Sequence, residues 1–236
     1  MSGSVADRLA SLQERIAAAA GRAGRDPADI TLVAVSKVHP AEAIAAAHDA
    51  GACTFGENYV QEWVGKAEHP RLVGRGLEWS FIGHLQRNKV RHLLGRVALI
   101  ETVDSVRLAQ EIDKRARARG GGFRQAVLLQ VDLAGEDSKS GFSPARLRDD
   151  LPGLLTLPGL DVRGLMHIPP RRSTPEATRD DHRALRALRD SLATARHPLP
   201  ELSMGMSSDF EIAIEEGATR VRVGTALFGA RVPTAR

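Results

Sequence analysis

The feature that most constrains this chain is a repeated change of period. Short apolar runs rich in β-branched residues alternate with stretches of helical spacing across 236 residues. The clearest run is QAVLLQVD at 125–132. It is apolar on both faces, as a strand must be when helices cover both sides of a parallel sheet. Similar runs occupy 31–37, 54–58, 78–83, 98–103, 162–168, 202–205 and 220–224. Helical segments are predicted between them. One runs from Pro40 to about residue 50 and stops at Gly51. Others start near Val60, span 88–94, or start at a cap on Asp104 or Ser105 and end at Gly120-Gly121-Gly122. The rest start at Pro144 or cover 176–195 and 209–216. An amphipathic helix over 4–23, with Val5, Leu9, Leu12 and Ile16 on one face, precedes the first strand. Strand–helix units repeated in this way predict a single (β/α)8 TIM-like barrel domain over 1–236 with an extra N-terminal helix. An open doubly wound sheet is the alternative, but no G-x-G-x-x-G follows any strand.

Charge and cysteine content exclude several classes. The 33 basic and 29 acidic residues leave a net +4, and the basic residues form no tract interleaved with aromatics, so no nucleic-acid partner is expected. Cys53 is the single cysteine, which suits a reducing compartment and rules out an internal disulfide. The N-terminus lacks the apolar core of a signal peptide, and no stretch approaches the roughly 20 apolar residues of a membrane span. A cytoplasmic protein is expected, monomeric with a dimer as the alternative. The histidines show no ligand spacing, so no metal site is expected.

In a barrel, chemistry gathers at the C-terminal ends of the strands. Lys37 ends the first strand, on the face of Val33 and Val35. A partly desolvated amine there is a nucleophile; a lysine snorkelling at a strand end is the plainer reading. Gly224-Thr225 opens a short helix after the eighth strand, where such barrels bind phosphate. The 203–208 segment after the seventh strand offers a second donor loop. Ser208 and Glu211 are expected to form a capping box there, with Ser207 free to reach an anion. Plain turn chemistry explains either segment alone. Arg222, two residues before Gly224, needs an acceptor inside the barrel: a carboxylate, or the pyridine nitrogen of pyridoxal 5'-phosphate (PLP).

The segments LVAVSKVHP, FGENYVQE, LEWSFIGHLQRNK, IETVDS, EDSKSGF, VRGLM, LSMGMSSDFEIAIEEGAT and VRVGTALFGAR cover almost the whole chain in order. Together they resemble the pyridoxal phosphate homeostasis protein family, which is similar in fold to the barrel domain of bacterial alanine racemases. The resemblance implies that PLP is the cofactor, held as a Schiff base on Lys37, with Arg222 facing the pyridine nitrogen. It implies that Ser207, Gly224 and Thr225 hold the phosphate and that Met206 and Asn58 line the site. His167 departs from the family pattern, which has a small residue there; it reaches the cofactor or only lines the barrel mouth. His84 stands where some members carry proline, and a structural role is expected. Glu136, Asp137 and Lys139 are expected in a surface loop near the mouth, and 176–195 on a solvated face.

Three readings follow. The favoured one is a PLP-binding protein of vitamin B6 homeostasis that buffers PLP or delivers it to PLP-dependent apo-enzymes, and is not an enzyme. The racemases use a tyrosine of a second domain as their second base. This sequence ends at Arg236, shortly after the phosphate segment, and its single tyrosine is Tyr59. The alternative is a PLP-dependent amino-acid racemase of weak or specialised activity, with His167 or water as second base. The third is a Schiff-base aldolase or phosphosugar enzyme, with no catalytic residue assigned beyond the lysine.

Overall fold

A computed structural model describes residues 3–135, 140–170 and 172–229. Eight parallel strands among them close into a barrel in sequence order: β1 (Thr31–Val35), β2 (Thr54–Glu57), β3 (Glu78–Phe81), β4 (Leu99–Val103), β5 (Gln125–Gln130), β6 (Leu160–Met166), β7 (Glu201–Met206) and β8 (Arg220–Val223). The ring closes between β8 and β1, where Leu32 pairs with Val221 and Val33 with Arg222. Around it lie α1 (Val5–Arg22), α2 (Ala41–Asp49), α3 (Val60–Ala67), α4 (Val90–Leu93), α5 (Val106–Ala118), α6 (Pro144–Leu155), α7 (Arg179–Leu192), α8 (Phe210–Glu215) and α9 (Thr225–Phe228). This is the (β/α)8 architecture expected, with α1 as the additional helix. Ser4 and Asp7 form its capping box, and α1 packs on α8 and α9.

The two-residue period of the strands separates two environments. Outward residues such as Ala34, Phe55, Val221 and Val223 join the large apolar layer beneath the helices. The inward side holds a small apolar cluster of Leu99, Ala126, Leu128 and Met166. It also holds polar residues. Arg220 on β8 reaches Ser80 on β3 at 3.0 Å and Glu101 on β4 at 3.2 Å. Those strands stand opposite β8 in the ring, so the contacts cross the interior.

Several local expectations are refined. Ser105 is the residue that caps α5, accepting the Leu108 N–H. The 88–94 segment is a 3₁₀ turn at Arg87–Lys89 followed by the single turn of α4. The 176–195 segment likewise starts as a 3₁₀ turn, and its helix ends at Leu192; its inner face buries His182, Leu185 and Leu188. Two corrections bear on the site. β1 stops at Val35, so Lys37 lies in the following turn. The Ser208–Glu211 capping box does not form. Asp209 is the N-cap of α8, and Glu211 instead pairs with Arg15 and Arg22 of α1. Ion pairs to two long arginines outcompete a local cap at this exposed edge.

Candidate functional site

A cavity of about 750 Å³ opens at the C-terminal ends of the strands. Lys37, Asn58, Met206, Ser207, Arg222, Gly224 and Thr225 all line it. They arrive from separated segments: the turn after β1, the residue after β2, the β7–α8 turn, and β8 with the turn into α9. Lys37 is half-buried next to Val35, which also lines the cavity. Asn58 Oδ1 is buried, and no group among the described residues donates to it. Such an oxygen suits a ligand donor.

At one corner the β7–α8 turn meets the start of α9. The N–H groups of Gly224 and Ala226 donate to Ser207 Oγ at 3.3 and 3.4 Å. These bonds are long, and they gather a hydroxyl and two amides around one point, a set of donors that suits an anion. Gly224 permits the close approach, since a Cβ there would lie 3.3 Å from Val35 Cβ and O.

Asp209, which sequence reasoning placed only at a helix start, holds this turn. Its Oδ1 accepts the Met206 N–H at 2.7 Å, and its Oδ2 lies 3.1 Å from His182 Nε2. His182 Nδ1 lies 2.9 Å from His167 Nε2. A carboxylate only accepts, so His182 carries a proton on Nε2, and the direction of its Nδ1 bond to His167 follows the tautomers of the two rings. Burial pushes the Asp209 carboxyl up, but the bonds from His182 and Met206 outweigh it and hold the group below its usual 3.8. His167 therefore directs its ring at α7, and it is not among the cavity-lining residues. Its carbonyl is what serves the site.

That carbonyl accepts from Arg222 Nη2 at 2.7 Å, while Arg222 Nη1 donates to Ser203 Oγ at 2.5 Å. Ser203 Oγ donates in turn to Glu101 Oε2 at 2.6 Å. Neither bond of Arg222 uses its Nε. Burial pushes the Arg222 guanidinium below its ordinary range, and the charges of Glu101 and Asp209 oppose that. An arginine so compensated stays cationic. Glu101 and Ser203 lie in segments singled out at the sequence level but were given no link to Arg222, and His182 was missed. The signal for the first two was a polar residue interrupting the apolar runs ALIETV and LSMGM. His182 gave none, because its partners lie on other elements.

His84 stands apart at a neighbouring cavity of about 300 Å³, exposed, with Nδ1 3.2 Å from Asp104 Oδ2. Glu136, Asp137 and Lys139 lie outside the described residues. Among those described, no cluster of three or more His, Cys, Asp or Glu is placed to hold a metal, and no helix is long and apolar enough to cross a membrane.

The chain is similar to known proteins over almost its whole length. The profile of the alanine racemase N-terminal domain family matches residues 8–232. A pyridoxal phosphate homeostasis protein of Aquifex aeolicus (strain VF5) is 47% identical over 226 residues, covering 95% of this chain and 97% of the relative. Among solved structures, PipY of Synechococcus elongatus PCC7942 with PLP bound superposes with a TM-score of 0.84 at 40% identity, over 95% of this chain and 100% of that one. An alanine racemase of Clostridium difficile 630 shares the fold, with a TM-score of 0.71 at 18% identity, over 98% of this chain and 56% of its own.

Proposed function

The chain belongs to the pyridoxal phosphate homeostasis protein family, and from that membership we propose that the cavity holds PLP for intracellular vitamin B6 homeostasis. The chain is a PLP-binding protein of that family and not an enzyme; its relatives are named for homeostasis. The observation that carries the site assignment is the convergence of seven residues from four separated segments on one cavity.

PLP, when bound, supplies an aldehyde that condenses reversibly with an amine. Lys37 is the residue we assign to hold it as a Schiff base. Ser207, Gly224 and Thr225 are the residues we assign to the phosphate. Arg222 presents a buried cation to the ring nitrogen and, being always protonated, leaves that nitrogen without a proton. Asn58 and Met206 line the remaining walls. The residues fit the group: an amine at the mouth, an anion cradle at one corner and a fixed donor in the wall. Within this reading the chain is one cytoplasmic, monomeric domain that supplies PLP to apo-enzymes.

An absorbance spectrum tests the assignment. The purified protein shows a visible band that borohydride bleaches, and Lys37→Ala lacks it. An unchanged band in Lys37→Ala would refute Lys37. Transfer of PLP from the loaded protein to a PLP-dependent apo-enzyme tests delivery; no transfer over hours would leave storage as its role.

A further inference from the structure

The turn that carries Lys37 is strained and is held from behind. Val38, the next residue, sits at φ +61° although its side chain is β-branched and exposed. A β-branched residue rarely adopts the left-handed region, and it persists there only where its surroundings over-determine it. The bonds that do so converge on one buried ammonium. Lys66 Nζ, on α3, donates to Ser36 O at 2.7 Å and to Oε1 of both Glu57 and Glu62 at 2.6 Å. Glu57 Oε1 also accepts the Ser36 hydroxyl at 2.6 Å. Glu62 Oε1 also accepts the Val38 N–H at 2.5 Å. The residues on either side of Lys37 are thus each pinned to a carboxylate, and both carboxylates to Lys66. Burial pushes the Glu57 carboxyl up, and Lys66 pulls against that rise. None of Glu57, Glu62 or Lys66 lines the cavity.

We propose that Lys66 and Glu62 are positioning residues for Lys37: with Glu57 they lock the 36–38 turn in its strained form and so fix where the amine meets the cofactor. The proposal rests on Lys37 being the Schiff-base lysine. The cluster touches the backbone on both sides of Lys37 and does not line the cavity, so it acts on the cofactor by positioning the turn. Removing the Glu62 carboxylate lets Val38 relax toward an extended conformation, and Lys37 moves with it. A glycine at 38 holds a positive φ without strain and so does not need the clamp.

The test is a cycle on Glu62 and Val38, read by PLP affinity from the bleachable band and by the melting temperature of the PLP-free protein. Glu62→Ala weakens PLP binding by about tenfold or more, the order of loss when a reacting group drifts by a fraction of an ångström. Glu62→Gln, which keeps an acceptor oxygen, binds near the wild-type level. Glu62→Ala with Val38→Gly recovers most of the loss, and Val38→Gly alone binds as wild type. A cluster that served stability alone would lower the melting temperature of Glu62→Ala without moving PLP affinity, or would show no recovery with Val38→Gly; either result overturns the proposal. Lys66→Met is expected to match or exceed the loss in Glu62→Ala; the Glu62 series decides the matter if that variant does not fold. Mapping the borohydride-reduced wild type separates the two assignments. A pyridoxyl group on another lysine overturns the Lys37 reading itself, whereas the cycle overturns only the clamp.

Discussion

Replacing Ser203 by alanine removes one oxygen that two buried charges share. Ser203 Oγ accepts from Arg222 Nη1 at 2.5 Å and donates to Glu101 Oε2 at 2.6 Å, and both Ser203 and Glu101 are fully buried. A hydrogen bond to a charged group contributes about 1.5–3 kcal/mol, and a buried partner left unpaired loses the full desolvation cost. Two such bonds give about 3–6 kcal/mol. Arg222 keeps its bond to His167 O and Glu101 its pair with Arg220, so relaxation places the expected loss at the lower end, about 3 kcal/mol. That is a large share of the 5–15 kcal/mol that typically holds a domain together. In a chain of this size it lowers the melting temperature by roughly 6–12 °C. Urea unfolding of the PLP-free protein measures it, with Ser11→Ala on the exposed face of α1 as a control expected within about 0.5 kcal/mol. A loss below about 1 kcal/mol for Ser203→Ala, with an unchanged denaturant slope, would refute the reasoning. It would mean that Glu101 does not anchor Arg222 through this hydroxyl.

Two further perturbations probe other walls of the site. A Cβ on Gly83 would lie 2.0 Å from Asn58 O, so Gly83→Ala must move Asn58 by about an ångström; PLP affinity falls by about 10–100-fold with a stability loss of about 1–3 kcal/mol, and unchanged PLP titration would contradict the placement of Asn58. The Asp209 carboxyl is held below 3.8 in the folded protein, so its ionised form contributes stability above that pH and loses it as the pH falls through the folded value. Asp209→Asn is therefore less stable than wild type at pH 7, and the gap narrows below about pH 3.8; urea midpoints across pH 7 to 2.5 check this, and a constant gap would count against it.

The barrel was legible because its evidence is local. Most strands announce themselves as short apolar runs, several with β-branched residues, and most helices by their spacing, some with caps, as Ser4 and Ser105 illustrate. Lys37, Ser207, Arg222, Gly224 and Thr225 were legible for a related reason, while Met206 and the role of Asn58 came only from the family resemblance. In a parallel barrel the chain order of strand ends is also their order around the mouth, so reading the ends together is reading a surface. What the sequence hid is lateral. Glu62 and Lys66, an i,i+4 pair on α3, drew no notice in the sequence, yet Lys66 is buried beneath the Lys37 turn. His182 reads as one polar residue of a solvated helix, yet it joins His167 to Asp209. Each role depends on a contact between elements that no local period encodes. The capping box at Ser208 failed for the same reason, since the partners of Glu211 lie nearly 200 residues away, on α1.

The donors around the cavity are arranged unequally, and on the proposed function that bears on how the protein would release its cofactor. The Arg222 end is fixed: a buried cation, two hydrogen bonds, and the opposing charges of Glu101 and Asp209. Its charge does not change in the physiological range, so it cannot act as a release switch. At the phosphate corner the named donors are a hydroxyl and backbone amides. These are neutral groups, and neutral donors hold an anion less strongly than the bidentate charge-assisted pairing an arginine provides. On the proposed assignment, reversible holding would rest on the Schiff base at Lys37, since condensation of an amine with an aldehyde runs in both directions. On that assignment the buried ion network serves orientation, and release would require hydrolysis of the Schiff base together with loss of the neutral contacts to the anion. A protein selected to turn over substrate would gain from the opposite arrangement, keeping its cofactor through every cycle.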